Sequence, residues 1–302
     1  MKASDVRCGN CPFKANENGY EIMSKKVKDF YNQSPRREWK RLFRDPYHQI
    51  EYEVTWHFIS KYLPKKASVI DIGGGPGRYS IRLLKSGRKA TLVDISEGLL
   101  GIGQRELTKQ KLVPNGIYCR SAIDLYGIPE NSYDSAILLG PLYHLTKEKD
   151  RIAAVKEALR VIRPGGYIFS AIINRFSPIK DWLVWLNTDP EKHKQIHNKK
   201  ALDELRRMIK TGCYDGNSGF TEAYFANVDE IPKIYSKLGI KLVESFSCEG
   251  IASFFRGTMN GFLKDKKTWD KMLPLIIETS THPDILGSGE HTVFVGRKTR
   301  PQ

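Results

Sequence analysis

Two carboxylates and a run of glycines carry the first recognisable chemistry. Val69-Ile70-Asp71-Ile72 leads into Gly73-Gly74-Gly75-Pro76-Gly77, and a helical pattern follows. A short apolar run is how a buried parallel strand reads. Glycines directly after it allow a tight turn and let backbone approach a ligand closely. The helix beyond aims its free N–H groups and the positive end of its dipole back into that turn. The spacing is G-x-G-x-G, not the G-x-G-x-x-G of dinucleotide sites. Asp71 would repel a pyrophosphate, and Pro76 has no N–H to offer one. The turn suits a phosphate-free ligand with a cationic amino group. Lys89 to Asp94 is a second apolar run that also ends in an acid. An acid there can accept from both hydroxyls of a ribose.

A second set of reactive side chains follows a later apolar run, Tyr133 to Leu139, in Gly140-Pro141-Leu142-Tyr143-His144-Leu145. In open α/β sheets ligands bind beyond the carboxyl ends of strands, so this loop is expected beside the reacting group. Tyr143 is expected to position a substrate by its ring or hydroxyl. His144, with an ordinary pKa near ~6.5, is expected to take a proton from a hydroxyl or amine; the alternative is that it packs under the loop and caps it.

The order of these stretches resembles class I S-adenosylmethionine (SAM)-dependent methyltransferases. Asp71 to Gly77 resembles their first motif, and Val93-Asp94-Ile95-Ser96 their ribose motif. Ser121-Ala122-Ile123-Asp124-Leu125 resembles the adenine-contacting segment, Asn131 to Leu139 the fourth-strand motif, and Leu159 to Gly166 the entry to the fifth strand. The resemblance covers residues ~46–175 well and implies an α/β fold: a seven-stranded Rossmann-like sheet in the order 3-2-1-4-5-7-6, helices on both faces, and an added helical cap and lid. It implies SAM as cofactor, S-adenosylhomocysteine (SAH) as product and no metal. The cofactor contacts carried over are Asp71, Gly73, Gly75, Gly77, Asp94, Ile95, Ser121, Ala122, Ile123 and Leu139. Many relatives carry an acid where Ser121 stands, which puts the adenine contacts of this chain in doubt.

The remaining elements must position this chemistry. Residues 1–22 read as a weakly ordered leader. Residues 23–64 read as a helical lid, with Ser34-Pro35 and Asp45-Pro46 as helix starts. Tyr31 and Arg41 are expected on the cofactor side of that lid, Arg41 pairing with the cofactor carboxylate. Trp39, Glu53 and His57 are expected to face the substrate; Glu53 and His57 lie four apart on one helix face, with Glu51 nearby. Residues 65–175 form the SAM-binding core. Residues 176–226 read as a helical cap, preceded by Asn174 and Arg175 at the end of the fifth strand, both expected at the substrate. Residues 227–302 complete the core around a second helical insertion at about 250–288, where Phe254 is expected to reach the substrate. His282 and His291 show no ligand spacing and read as structural.

Composition sets outer limits. The 302 residues suffice for one enlarged domain. No apolar run is long enough to span a membrane, and no apolar signal core opens the chain, so a cytoplasmic protein is expected. The five cysteines are scattered and odd in number, which fits a reducing compartment. Cys8 and Cys11 make a lone C-x-x-C, short of the four ligands of a zinc site. The net charge of +15 favours anionic partners, yet no RNA-binding module is present. The expected reaction is methyl transfer from SAM to O or N of a small molecule in an enclosed pocket, by a monomer or homodimer. An RNA or protein methyltransferase and a non-catalytic SAM-binding protein are the alternatives.

Overall fold

The structure is a computed structural model, and residues 20–188, 191, 194, 196–217 and 219–299 are described. The leader expected over 1–22, with Cys8 and Cys11, lies outside them apart from its last three residues, which are helical. Three helices come first: α1 (Tyr20–Gln33), α2 (Pro35–Arg41) and α3 (Pro46–Tyr62). The core begins with β1 (Ser68–Ile72), α4 (Arg78–Lys85), β2 (Lys89–Asp94), α5 (Glu97–Lys109), β3 (Gly116–Cys119) and β4 (Tyr133–Leu138). It continues with α6 (Glu148–Val161) and β5 (Ile162–Asn174). Then come α7 (Ser177–Thr188), α8 (Lys199–Thr211), β6 (Cys213–Tyr214), β7 (Ala223–Ala226), α9 (Glu230–Lys237) and β8 (Ile240–Ser247). The last elements are α10 (Arg256–Phe262), α11 (Lys266–Thr279), α12 (Pro283–Leu286) and β9 (His291–Lys298).

Seven strands align as β3-β2-β1-β4-β5-β9-β8, with β9 antiparallel to both neighbours. With β8 and β9 as sixth and seventh, that is the expected order. Residues 176–226 differ from the expected purely helical cap, because they also contribute β6 and β7. β7 pairs in parallel with Ile173 and Asn174 at the end of β5. Ile173 also pairs with His291 of β9, so β7 must lie on the opposite, β4 side, beyond the point where β4 ends.

Side chains alternate along these strands, so each strand feeds two cores. Val69, Ile137, Phe169 and Val293 meet α3, α4, α10 and α11 on one face. Ile70, Ala136, Ile168 and Phe294 meet α6 and α9 on the other. Between its first residue, Ser68, and its last, Ile72, β1 is buried and apolar except for Asp71. Asp71 is thereby held near the carboxyl edge of the sheet. Local signals fix the helix starts: Asp45 caps α3 by accepting from the His48 amide at 3.0 Å, and Ser96 caps α5 by accepting from the Leu99 amide at 3.1 Å. Ser34 precedes α2 without a side-chain cap bond. No helix among the described residues is long and apolar enough to cross a membrane.

Candidate active site

The glycine turn closes on β2. The amides of Gly73 and Gly74 both donate to the Val93 carbonyl, at 2.8 and 3.1 Å. Gly73 has φ +68°, and a Cβ there would stand 2.4 Å from Cγ of Pro141. The turn therefore packs directly under the loop that follows β4, and only glycine fits. Gly77, at φ +78°, is the residue that starts α4; it does not line the cavity, so its part is conformational. Asp71 accepts from the Ser80 hydroxyl at 2.7 Å. Asp94 accepts from the Gly75 and Ser96 amides, one on each oxygen, both at 2.8 Å. Each oxygen keeps capacity for a ligand hydroxyl. Burial pushes both carboxyls up to about 6, and Asp94 adds to the rise at Asp71. Among the described residues neither acid is paired with a cationic side chain, so a cationic ligand would relieve both.

One cavity joins these acids to Ile95, Ser121, Ala122, Ile123 and Leu139. Asp150, at the start of α6, also lines it. Asp150 is 4% exposed, and its Oδ1 is buried without a hydrogen-bond partner. Nothing in the spacing around Asp150 marks it, because α6 reaches the cavity only once the loop after β4 has folded back.

Tyr31, Arg41, Tyr143 and His144 line the same cavity. His144 is neutral: burial lowers its pKa to about 4. Its Nδ1 donates to the Glu222 carbonyl at 3.0 Å, which leaves Nε2 to accept from the Tyr31 hydroxyl at 2.8 Å. Both nitrogens are occupied, so the expected proton acceptor is a fastening between the lid and the loop after β4. Arg41 donates to both Glu51 oxygens, at 2.7 and 3.0 Å, and to Glu38 at 2.9 Å. It lines the cavity, but its guanidinium is committed to protein carboxylates and not left over for a cofactor carboxylate as expected. Burial opposes ionisation of Glu51, yet Arg41 pulls its pKa down to about 2. Beside this pair are Thr55, Cys248 and His291, none of them expected from the sequence. Glu249 holds His291 Nδ1 at 2.7 Å. Both Glu51 oxygens accept from Arg41, and Glu249 is paired separately with His291.

A family model for a methyltransferase domain matches residues 69–166. UbiE, the ubiquinone/menaquinone biosynthesis C-methyltransferase of Shewanella halifaxensis, is 30% identical over 101 residues, 32% of this chain and 39% of that protein. YqeM of Bacillus subtilis, a putative methyltransferase, is 25% identical over 126 residues, 41% of this chain and 50% of that protein. The chain carries a methyltransferase domain over residues 69–166. It spans about two fifths to one half of the length of these relatives. Among solved structures, the magnesium protoporphyrin IX methyltransferase of Synechocystis with bound SAH has a TM-score of 0.55 at 17% identity, covering 92% of this chain and all of that one. The 1,6-didemethyltoxoflavin-N1-methyltransferase of Burkholderia thailandensis has a TM-score of 0.53 at 14% identity, covering 95% and 92%. At these identities the likeness is one of fold, and it extends the methyltransferase architecture over most of the chain.

The residues expected at the substrate lie outside this cavity. Trp39 stacks on the Arg78 guanidinium, 3.3 Å from its ring centre, and its carbonyl accepts from Arg78. Glu53 is paired with both Arg82 amino groups, at 2.9 and 2.7 Å. His57 lines a separate depression with Lys61 and Glu244. The helical period explains both cases: Glu51, Val54, Thr55 and Phe58 are buried, and Glu53 and His57 are on the opposite side of α3. Asn174 is buried and holds the Leu286 and Gly289 carbonyls, at 3.2 and 2.9 Å. Arg175 donates to the Phe225 carbonyl at 2.6 Å and pairs with Glu230. Phe254 is 61% exposed.

Proposed function

We propose that this chain transfers the methyl group of SAM to a small molecule bound in the same cavity. The observation that carries the proposal is continuity. One cavity is lined by Asp94 and Gly75, by Leu139 and Gly140, and by Glu51 and His291. The sulfonium is already electrophilic, so the protein's task is to align the acceptor with the methyl group and to exclude water.

The cofactor end follows from charge and hydrogen bonding. Asp94 would take the ribose hydroxyls, and the acidic turn would take the amino group. Asp150 would supply the acid that Ser121 does not, accepting from the adenine amino group through its unpartnered Oδ1. Val27 and Tyr31 of α1 line the cavity from above. Asn32 of α1 accepts from the Ser96 hydroxyl and the Gly98 amide, and Lys26 pairs with Glu222 at 2.7 Å. A roof fastened at both ends favours a small acceptor over a polymer.

Calorimetry with SAH, followed by SAH release from SAM over a panel of small acceptors, tests this function. Binding in the micromolar range and turnover on at least one acceptor are expected. SAH binding without any turnover would instead leave a cofactor-binding protein.

A further inference from the structure

His291 opens β9. Because β9 runs antiparallel to β5, its first residue stands at the carboxyl edge of the sheet, level with Ile173. There the imidazole lines the cavity. Its Nδ1 faces Glu249 Oε1 at 2.7 Å. Glu249 is 1% exposed, and its other oxygen accepts from the Glu290 and His291 amides at 2.8 and 2.9 Å. The carboxylate is thereby fixed, and so are the ring's plane and tautomer. Nδ1 carries a proton toward Glu249, and Nε2 has no hydrogen-bond partner among the described residues. A Glu51 oxygen, a Glu249 oxygen and a His291 nitrogen lie within 4.8 Å of one another. The Tyr143 ring centre is 6.2 Å from that of His291. A buried carboxylate that orients an imidazole, whose other nitrogen is left for a ligand, is an arrangement that presents a fixed ring nitrogen to that ligand.

We propose that His291, oriented by Glu249, binds the reacting oxygen of an acidic acceptor (a phenol or an enol) as its oxyanion and holds it in place while that oxygen takes the methyl group. This rests on the methyl-transfer function above and names its acceptor class. The hydroxyl proton is given up to water as the acceptor binds, and the protonated Nε2 donates to the oxygen, giving an imidazolium–oxyanion pair. The oxygen forms the new C–O bond as the methyl C–S bond breaks, and the electron pair of that bond stays on sulfur as a neutral thioether. The products are a methyl ether and SAH, and His291 keeps its proton throughout.

The charges around the ring select that acceptor class. Glu249 faces it from the end of β8, Glu51 from α3, Arg41 from α2 and Tyr143 from the loop after β4. Burial opposes a charged ring and so does Arg41, but Glu51 and Glu249 outweigh them and hold the imidazole up at about 9. An oxyanion is stabilised beside such a group, whereas an ammonium acceptor would meet a second cation.

The test uses the full chain, SAM, and a panel of simple phenols, enols and primary amines, with SAH formation as readout. Calorimetric SAH affinity checks that each variant is folded. Transfer to at least one phenol or enol is expected. His291→Gln should lower kcat by about 100-fold or more at unchanged SAH affinity. Glu249→Gln keeps the shape but loses the charge. With an acceptor more acidic than His291, it should move the alkaline fall in turnover from about pH 9 to lower pH. Transfer to amines only, full turnover in His291→Gln, or no transfer to any hydroxyl while SAH binds normally overturns the inference and leaves the cofactor assignment standing. Failure of the unmodified chain to bind SAH would defeat the methyltransferase function itself.

Discussion

The Tyr31 hydroxyl lies 2.8 Å from His144 Nε2, and this one bond fastens the first helix to the loop that follows β4. Because His144 is held neutral down to about pH 4, the bond persists across the physiological range. Tyr31→Phe removes it at a cost of about 1 kcal/mol. The expected result is faster SAH release and roughly fivefold weaker binding, read by stopped-flow and calorimetry, with the pH profile of turnover unmoved. A displaced pH profile would show that His144 titrates during the reaction, contrary to the geometry.

Asp94 joins the glycine turn to the second strand and faces the cavity. Asp94→Ala removes the partner of the Gly75 and Ser96 amides and of any ribose hydroxyls. SAH affinity should fall by about 1–3 kcal/mol, measured by calorimetry. Unchanged affinity would sink the ribose assignment.

Asp150 gives a more selective test, made with two ligands. Asp150→Ala should weaken SAH by about 1–2 kcal/mol, yet leave unchanged the affinity for an SAH analogue whose purine lacks the 6-amino group. Equal losses for both ligands would mean that Asp150 supports only the start of α6.

Two glycines of similar appearance should respond oppositely. Gly73→Ala must hold an alanine at φ +68° with its Cβ 2.4 Å from Pro141. The left-handed conformation costs about 1–2 kcal/mol and the overlap about 1–3 more. Gly101 lies inside α5, and a Cβ there meets nothing within 4 Å. Gly101→Ala should therefore stabilise by up to about 1 kcal/mol. Denaturant unfolding of the two variants measures both signs.

The two acids of the cofactor end set a pH dependence. Their folded pKa values of about 6 lie above the ordinary 3.8, so the folded state binds more protons between those values. The empty protein therefore gains stability from these groups as pH falls through about 6. A cationic ligand needs the ionised acids, so SAH affinity should hold above about pH 6 and decline below it. His291 acts in a different window. Its pKa is raised from 6.5 to about 9, so its pairing stabilises fully below pH 6.5 and is lost as pH rises through about 9. Melting temperatures from pH 5 to 10, with and without SAH, separate the two effects. A ligand-induced shift that is flat through pH 6 would contradict the first.

The donor side of this protein is written in consecutive residues. Asp71 to Gly77 is a strand end and the turn that must follow it, and Asp94 is the end of the neighbouring strand. Parallel pairing of β1 with β2 brings the two acids to one edge without help from any distant segment. The strand order followed from the family resemblance, whose motifs are also local, and apolar runs and helical periods marked the separate elements. The acceptor side is not local. Arg41, Glu51, Cys248 and His291 come from four separate parts of the chain, and each does something ordinary in its own neighbourhood. On α3, sequence spacing could not say whether the face carrying Glu51 or the face carrying Glu53 and His57 turns inward; packing of Val54 and Phe58 against Phe246 decided it. His291 entered the site because β9 runs antiparallel to β5, which puts the first residue of the last strand at the edge where the parallel strands end. Local sequence thus determined the methyl donor's seat, while the tertiary pairing of distant segments alone decided which charges face the acceptor.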